Sequence, residues 1–137
     1  MSLNVHRYLV DAGAISLYFA GSPAVKPYFD RILSKRAEGL ISEVNPAEYY
    51  YKAAGILGLE TAELRYMMLR RGDFAIVAPD EAITRGAARW KLRRPDLSLA
   101  DCFALSTLEA RAQVILTTDE PLSKVKGVRA VYLPPRE

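Results

Sequence analysis

Hydrophobic and polar positions follow two periods along this chain. Short apolar runs occur at Tyr8–Val10, Leu40–Ser42, Phe74–Val77, Val114–Leu116 and Val128–Leu133. Most are brief, and four are rich in Val or Ile, as buried parallel strands tend to be. The segments between them carry helical spacing. Ala12–Ala20 comes first, and Ser22-Pro23 then offers an N-cap with proline at the first position for a helix to about Arg36, with Pro27 placed to delay its start. Pro46–Leu57 and Glu60–Arg70 follow, with Gly58 and Gly72 as stops. Asp80 caps a helix to about Arg93, and Leu99–Ala112 is the last long one. Strands alternating with helices predict a three-layer α/β/α sandwich around a mainly parallel sheet of about five strands.

Composition narrows this picture without redirecting it. The 137 residues suit one domain, 1–137, and are 50% hydrophobic and 26% charged. No apolar run is long enough to span a bilayer, and the N-terminus lacks a secretory pattern, so a cytoplasmic protein with no membrane contact is expected. The lone cysteine, Cys102, rules out an internal disulfide and a multi-cysteine zinc site. A net charge of +3 permits a nucleic-acid partner without demanding one.

Acids at the ends of the apolar runs change the picture more. Asp11 follows the first run, Glu48 lies just beyond the second, and Asp119 follows the fourth. Asp101 opens the helix that feeds the fourth run. In a parallel α/β sheet, strand C-termini and the helix N-termini beside them share the edge where ligands bind. Each acid has a plain alternative as a helix cap. Asp11 and Asp119 stand at N-cap positions, while Asn45-Pro46-Ala47-Glu48 and Ser98-Leu-Ala-Asp101 have the form of capping boxes. Four carboxylates at one edge would also repel one another, and a divalent cation would relieve that. Oxygen ligands without His or Cys suit Mg²⁺ or Mn²⁺ rather than zinc.

The blocks "LVDAGAI", "ISEVNPAEYYYKA", "DLSLADCFALSTLEA" and "ILTTDEPL" resemble the PIN domain family, and within it the VapC-type toxin ribonucleases. The likeness covers nearly the whole chain, and the last two blocks, with Asp101 and Asp119 18 residues apart, are its most specific part. It implies that Asp11, Glu48, Asp101 and Asp119 form an acidic, catalytic site for Mg²⁺ or Mn²⁺, with Thr117 and Asn45 in support. It also implies an RNA substrate and an antitoxin partner. One departure is Ala12, where many relatives carry a hydroxyl residue.

Two further features bear on partners. Arg85, Arg89 and Arg93 recur every four residues, opposite Ile83, Ala87 and Trp90, with Lys91 and Arg94 beside them. They form a solvated helix face or a rim that tracks RNA phosphates. Tyr49-Tyr50-Tyr51 spans too much of a helix circumference to face one core, so part of it, or Tyr66–Leu69, is expected to meet an antitoxin or a second copy in a homodimer. His6 reads as a surface residue and Cys102 as core. The first expectation for function is thus a metal-dependent endoribonuclease, the toxin of a toxin–antitoxin pair. The alternative is a PIN-like module that binds RNA or protein without cleaving. A receiver-like phosphoryl-transfer protein fits poorly, because Asp11-Ala-Gly13 lacks a second aspartate.

Overall fold

In the computed structural model, which describes residues 5–135, five strands form one sheet, all pairs parallel, in the order β3-β2-β1-β4-β5. The strands are β1 (Arg7–Val10), β2 (Glu38–Ser42), β3 (Phe74–Val77), β4 (Val114–Thr117) and β5 (Ala130–Tyr132). Every strand expected from an apolar run is present, within a residue or two at its ends. Seven helices join them among the described residues: α1 (Ala12–Phe19), α2 (Lys26–Leu33), α3 (Val44–Leu57), α4 (Leu59–Leu69), α5 (Glu81–Arg93), α6 (Leu99–Arg111) and α7 (Glu120–Ser123).

The sheet is apolar on both faces because each face is covered. Tyr8, Val10, Ile41, Val114 and Leu116 join Ile15, Phe29, Ile32, Tyr49 and Leu69, from α1 through α4, in one core. Leu9, Leu40, Val77 and Ile115 join Ile83, Trp90, Leu105 and Leu122, from α5, α6 and α7, in the other. Successive residues of a strand point to opposite faces, so an unbroken apolar run supplies both cores. The architecture is the expected α/β/α sandwich.

Two details depart from expectation. The second helix starts at Lys26 rather than at Pro23, with Pro27 in its first turn, and the serine cap did not form there. Ser22 is buried and its hydroxyl instead accepts from Ala24 N, 3.3 Å away, in a tight turn. The third helix begins two residues before Pro46, which rules out Asn45 as its N-cap: Glu43 holds that position and makes no side-chain capping bond. Gly58 does stop α3, at φ 92°, a conformation that glycine adopts at least cost.

Strand order locates the edge that matters. From β1 the chain moves outward to β2 and β3, then returns to place β4 on the other side of β1. The reversal puts the switch point between the C-terminal ends of β1 and β4, where α/β sheets open a crevice.

Candidate active site at the strand ends

Asp11 and Asp119 flank that switch point. Asp11 leaves β1 with its backbone N–H bonded to Leu116 O of β4, so the acid is seated by the sheet itself. Its Oδ1 accepts from Ala14 N at 2.9 Å and caps α1. Its Oδ2 accepts from Thr117 Oγ1. Thr117 is fully buried at the end of β4, and its Oγ1 also accepts from Asp119 N at 3.0 Å. One hydroxyl thereby fixes both acids. Asp119 in turn caps α7 through Leu122 N, 3.0 Å from Oδ1. A close approach underlies this arrangement: a Cβ at Gly13 would overlap the Thr118 side chain, so only glycine lets α1 start against the β4 turn.

The β1–β4 and β1–β2 registers define a row across the sheet. Leu9 pairs with both Leu40 and Ile115, and all three face the α5–α6 layer. Continuing two residues further brings Ser42, Asp11 and Thr117 to the same face, with Val77 beyond Ser42 on β3. A polar row thus replaces the apolar one where the strands end. α6 runs beneath this layer, and its first turn carries Asp101, whose backbone N–H is capped by Ser98 Oγ at 3.1 Å.

Burial and neighbouring charges both act on these acids. Asp11 is raised to about 6, chiefly by burial; its hydrogen bonds to Thr117 and Ala14 act against this, and the charges of Asp101 and Asp119 add to it. Asp101 is raised as well, first by burial and then by Asp119, with Glu48 also contributing. The charges of Asp101 and Asp119 thus act on Asp11, and those of Asp119 and Glu48 on Asp101. Asp101 reaches the site because a helix that precedes a parallel strand starts at the edge where that strand ends. The capping reading holds for Asp11 and Asp119, and the charge of Asp119 also acts on Asp11.

Glu48 lies in the first half of α3, part-exposed, with Lys52 4.0 Å away across one turn. Such a contact at the surface contributes little. Glu43, nearer to β2, is engaged elsewhere: Arg70 Nη1 donates to it at 2.9 Å. Asn45 is buried in the first turn of α3, where its Nδ2 reaches the Val10 carbonyl at 3.5 Å. It therefore ties α3 to the end of β1, rather than capping α3.

The arginines stand apart. Arg85, Arg89 and Arg93 lie on the exposed face of α5, as their spacing indicated, and none is among the charges acting on Asp11 or Asp101. Arg85 bonds Glu81, and Arg93 lies over the Trp90 ring at 4.2 Å. The two cations beside them belong to the α5–α6 connection. Lys91 Nζ donates to the Pro95 and Leu97 carbonyls at 2.9 and 2.6 Å, and Arg94 forks onto Asp96. The sequence had placed them only beside the basic face. The signal that separates them is the Pro95-Asp96 turn, which leaves carbonyls without helical donors.

Among the described residues no three His, Cys, Asp or Glu side chains already stand as a ligand cage. The donor set is nonetheless that of a hard cation: four carboxylates and buried hydroxyls, without imidazole or thiolate. Mg²⁺ is commonly held by one or two carboxylates while keeping its waters, which an open acidic edge allows. Asp11, Glu48, Asp101 and Asp119 are the residues that could hold it.

A parallel three-layer sheet with carboxylates gathered beside its switch point defines an α/β protein with an acidic site at the strand ends. The PIN domain family model matches residues 8–128, and the chain belongs to that family. Solved structures share the fold across nearly their full lengths. DNA-bound VapBC from Salmonella typhimurium matches with a TM-score of 0.72 and 14% identity, over 93% of this chain and 98% of that one. VapBC2 from Rickettsia felis, bound to a promoter DNA fragment, gives 0.73 and 12% over 93% and 98%. Mycobacterium tuberculosis VapC20, described as a toxin cleaving the sarcin-ricin loop, gives 0.72 and 16% over 93% and 99%. No curated protein matches the chain significantly. Among the described residues no helix is long and apolar enough to cross a membrane.

Proposed function

We propose that the chain, 1–137, is a single nuclease domain that hydrolyses RNA phosphodiester bonds with Mg²⁺ or Mn²⁺, as the cytoplasmic toxin of a toxin–antitoxin pair. The observation that carries this reading is the gathering of acids at one sheet edge, where Asp101 and Asp119 act on Asp11, and Asp119 and Glu48 act on Asp101. Without a cation that arrangement is costly, and the family supplies a reason for it. Thr117 keeps Asp11 and Asp119 in fixed relation, and Ser98 seats the turn that presents Asp101. Asn45 holds the helix that carries Glu48 against β1. A bound divalent ion supplies an activated water and stabilises charge developing on the phosphate. The exposed arginines of α5 supply phosphate contacts that offset the acidic centre.

Partners follow from the outer surface of the α3–α4 pair. Tyr51, Ile56, Leu59, Leu64 and Met67 are exposed there, in a region where a soluble chain otherwise places polar residues. Tyr49 and Leu69 are buried and take no part. Tyr49 stacks on Phe19 and accepts from Arg65, while Tyr50 donates to Glu63. The similar folds include a toxin–antitoxin complex from Klebsiella pneumoniae, which supports an antitoxin on this chain, and the apolar face supports a homodimer.

The deciding experiment is cleavage of a defined RNA by purified protein with Mn²⁺, with Mg²⁺ and with chelator. Asp101→Asn removes a carboxylate while keeping its shape. Cleavage should fall by on the order of a hundredfold or more, since a lost charge-stabilising group costs several kcal/mol. RNA bound but uncut by the wild type with either ion would instead support the non-cleaving module.

A further inference from the structure

Ser42 ends β2 and breaks the apolar run Leu40-Ile41 with a hydroxyl. It is 1% exposed, and among the described residues its Oγ is a buried side-chain oxygen with no hydrogen-bond partner. Register places it between Val77 of β3 and Asp11 of β1, on the face that α6 covers. Its neighbours in the row each have partners: Ala14 N donates to Asp11 Oδ1, Thr117 Oγ1 to Asp11 Oδ2, and Asp119 N to Thr117 Oγ1. Ser42 is thus the unpaired member of the polar row.

Leaving a buried hydroxyl unpaired forfeits its hydration without return, whereas alanine there would carry no such penalty. Buried polar groups are otherwise almost always paired with protein or ordered water. The row above, Leu40, Leu9 and Ile115, shows that the same face accepts apolar side chains one step away. The hydroxyl is therefore unaccounted for by packing, and the next polar residue along its row is Asp11. Resting on the metal-dependent reading above, we infer that Ser42 is a positioning residue of the carboxylate site, whose hydroxyl holds a water from the hydration shell of the divalent ion beside Asp11. Mg²⁺ and Mn²⁺ sites that keep water need protein groups to orient it, and such outer partners govern affinity.

The test uses Mn²⁺ alone as the probe, titrated into full-length protein and followed by loss of the free-ion paramagnetic resonance signal. Wild type is compared with Ser42→Ala, Ser42→Cys and Asp101→Asn, and each is melted in chelator. Ser42→Cys keeps the side-chain volume with a weak hydrogen-bonding group, so it reports even if the alanine variant folds poorly. Both Ser42 variants should bind Mn²⁺ about tenfold more weakly, with melting in chelator unchanged or raised. Unchanged Mn²⁺ affinity in the Ser42 variants, with or without a lower melting temperature, overturns the inference. If Asp101→Asn weakens binding while Ser42→Ala does not, the metal site stands and only the role of Ser42 falls. A wild type that fails to bind Mn²⁺ removes both.

Discussion

Replacing Asp11 by Asn should stabilise the ion-free protein at neutral pH. Asp11 is 8% exposed and its carboxyl is raised from 3.8 to about 6, chiefly by burial. Ionisation is therefore harder in the folded state than in the unfolded one. The resulting stability is fully present below the unfolded value and is lost as pH rises through the folded value, here between about pH 4 and pH 6. The difference corresponds to about 3 kcal/mol. Asn keeps the oxygen that accepts from Ala14, but its amide cannot accept from Thr117, and that rearrangement costs about 1 kcal/mol. The net gain at pH 7.5 is about 2 kcal/mol, or about 7 °C for 137 residues. The assay is thermal melting by circular dichroism in chelator, from pH 4.5 to 7.5, on both proteins. Wild type should lose stability across the window more steeply than the variant, and the order of melting temperatures should reverse from low to high pH. With Mn²⁺ at about 100 times its dissociation constant, wild type should regain roughly 2.7 kcal/mol, and the variant less. Parallel pH profiles, with Asp11→Asn below wild type throughout by a cap-sized margin, would refute the reasoning: the acid would then be a helix cap and nothing more.

Other outcomes can be checked alongside. Gly13→Ala forces a methyl group into the Thr118 side chain and should cost about 1–3 kcal/mol in urea unfolding. Lys91→Met leaves the Pro95 and Leu97 carbonyls without their donor, and should lower stability by about 1–3 kcal/mol while helical content is kept. Light scattering at high micromolar concentration should report a dimer, and Ile56→Glu with Met67→Glu should shift it toward monomer; a monomeric wild type would leave the α3–α4 face to the antitoxin alone.

Much of this was legible in the sequence, for identifiable reasons. Strands buried on both faces are unbroken apolar runs, so β1 through β4 could be bounded closely. Asp80 and Ser98 cap the helices they precede because short polar side chains satisfy local donors. Asn45 misled for the same reason: its local sequence fits a cap, but a contact to Val10, 35 residues away, outweighed the local preference. Lys91 and Arg94 were set beside the periodic arginines by proximity in sequence, and the turn after α5 claimed them. Ser42 was read only as the end of the run Leu40–Ser42; that its hydroxyl is buried without a partner depends on the three-dimensional surroundings, which spacing does not carry. The four acids were recognisable as a set through their positions at strand ends; how far burial raises Asp11 required the three-dimensional surroundings.

The insertion of β4 beside β1 has a consequence for how the protein comes into being. The contact between Thr117 and Asp11 bridges 106 positions, and Asp119 lies later still. A ribosome translates from the N-terminus, so Asp11, Glu48 and Asp101 emerge in turn while the central strand still lacks one neighbour. Such a chain has a half-built sheet with Asp11 unsupported by Thr117. The edge that holds Asp11, Asp101 and Asp119 together is thus completed only when the last fifth of the chain takes its place beside β1.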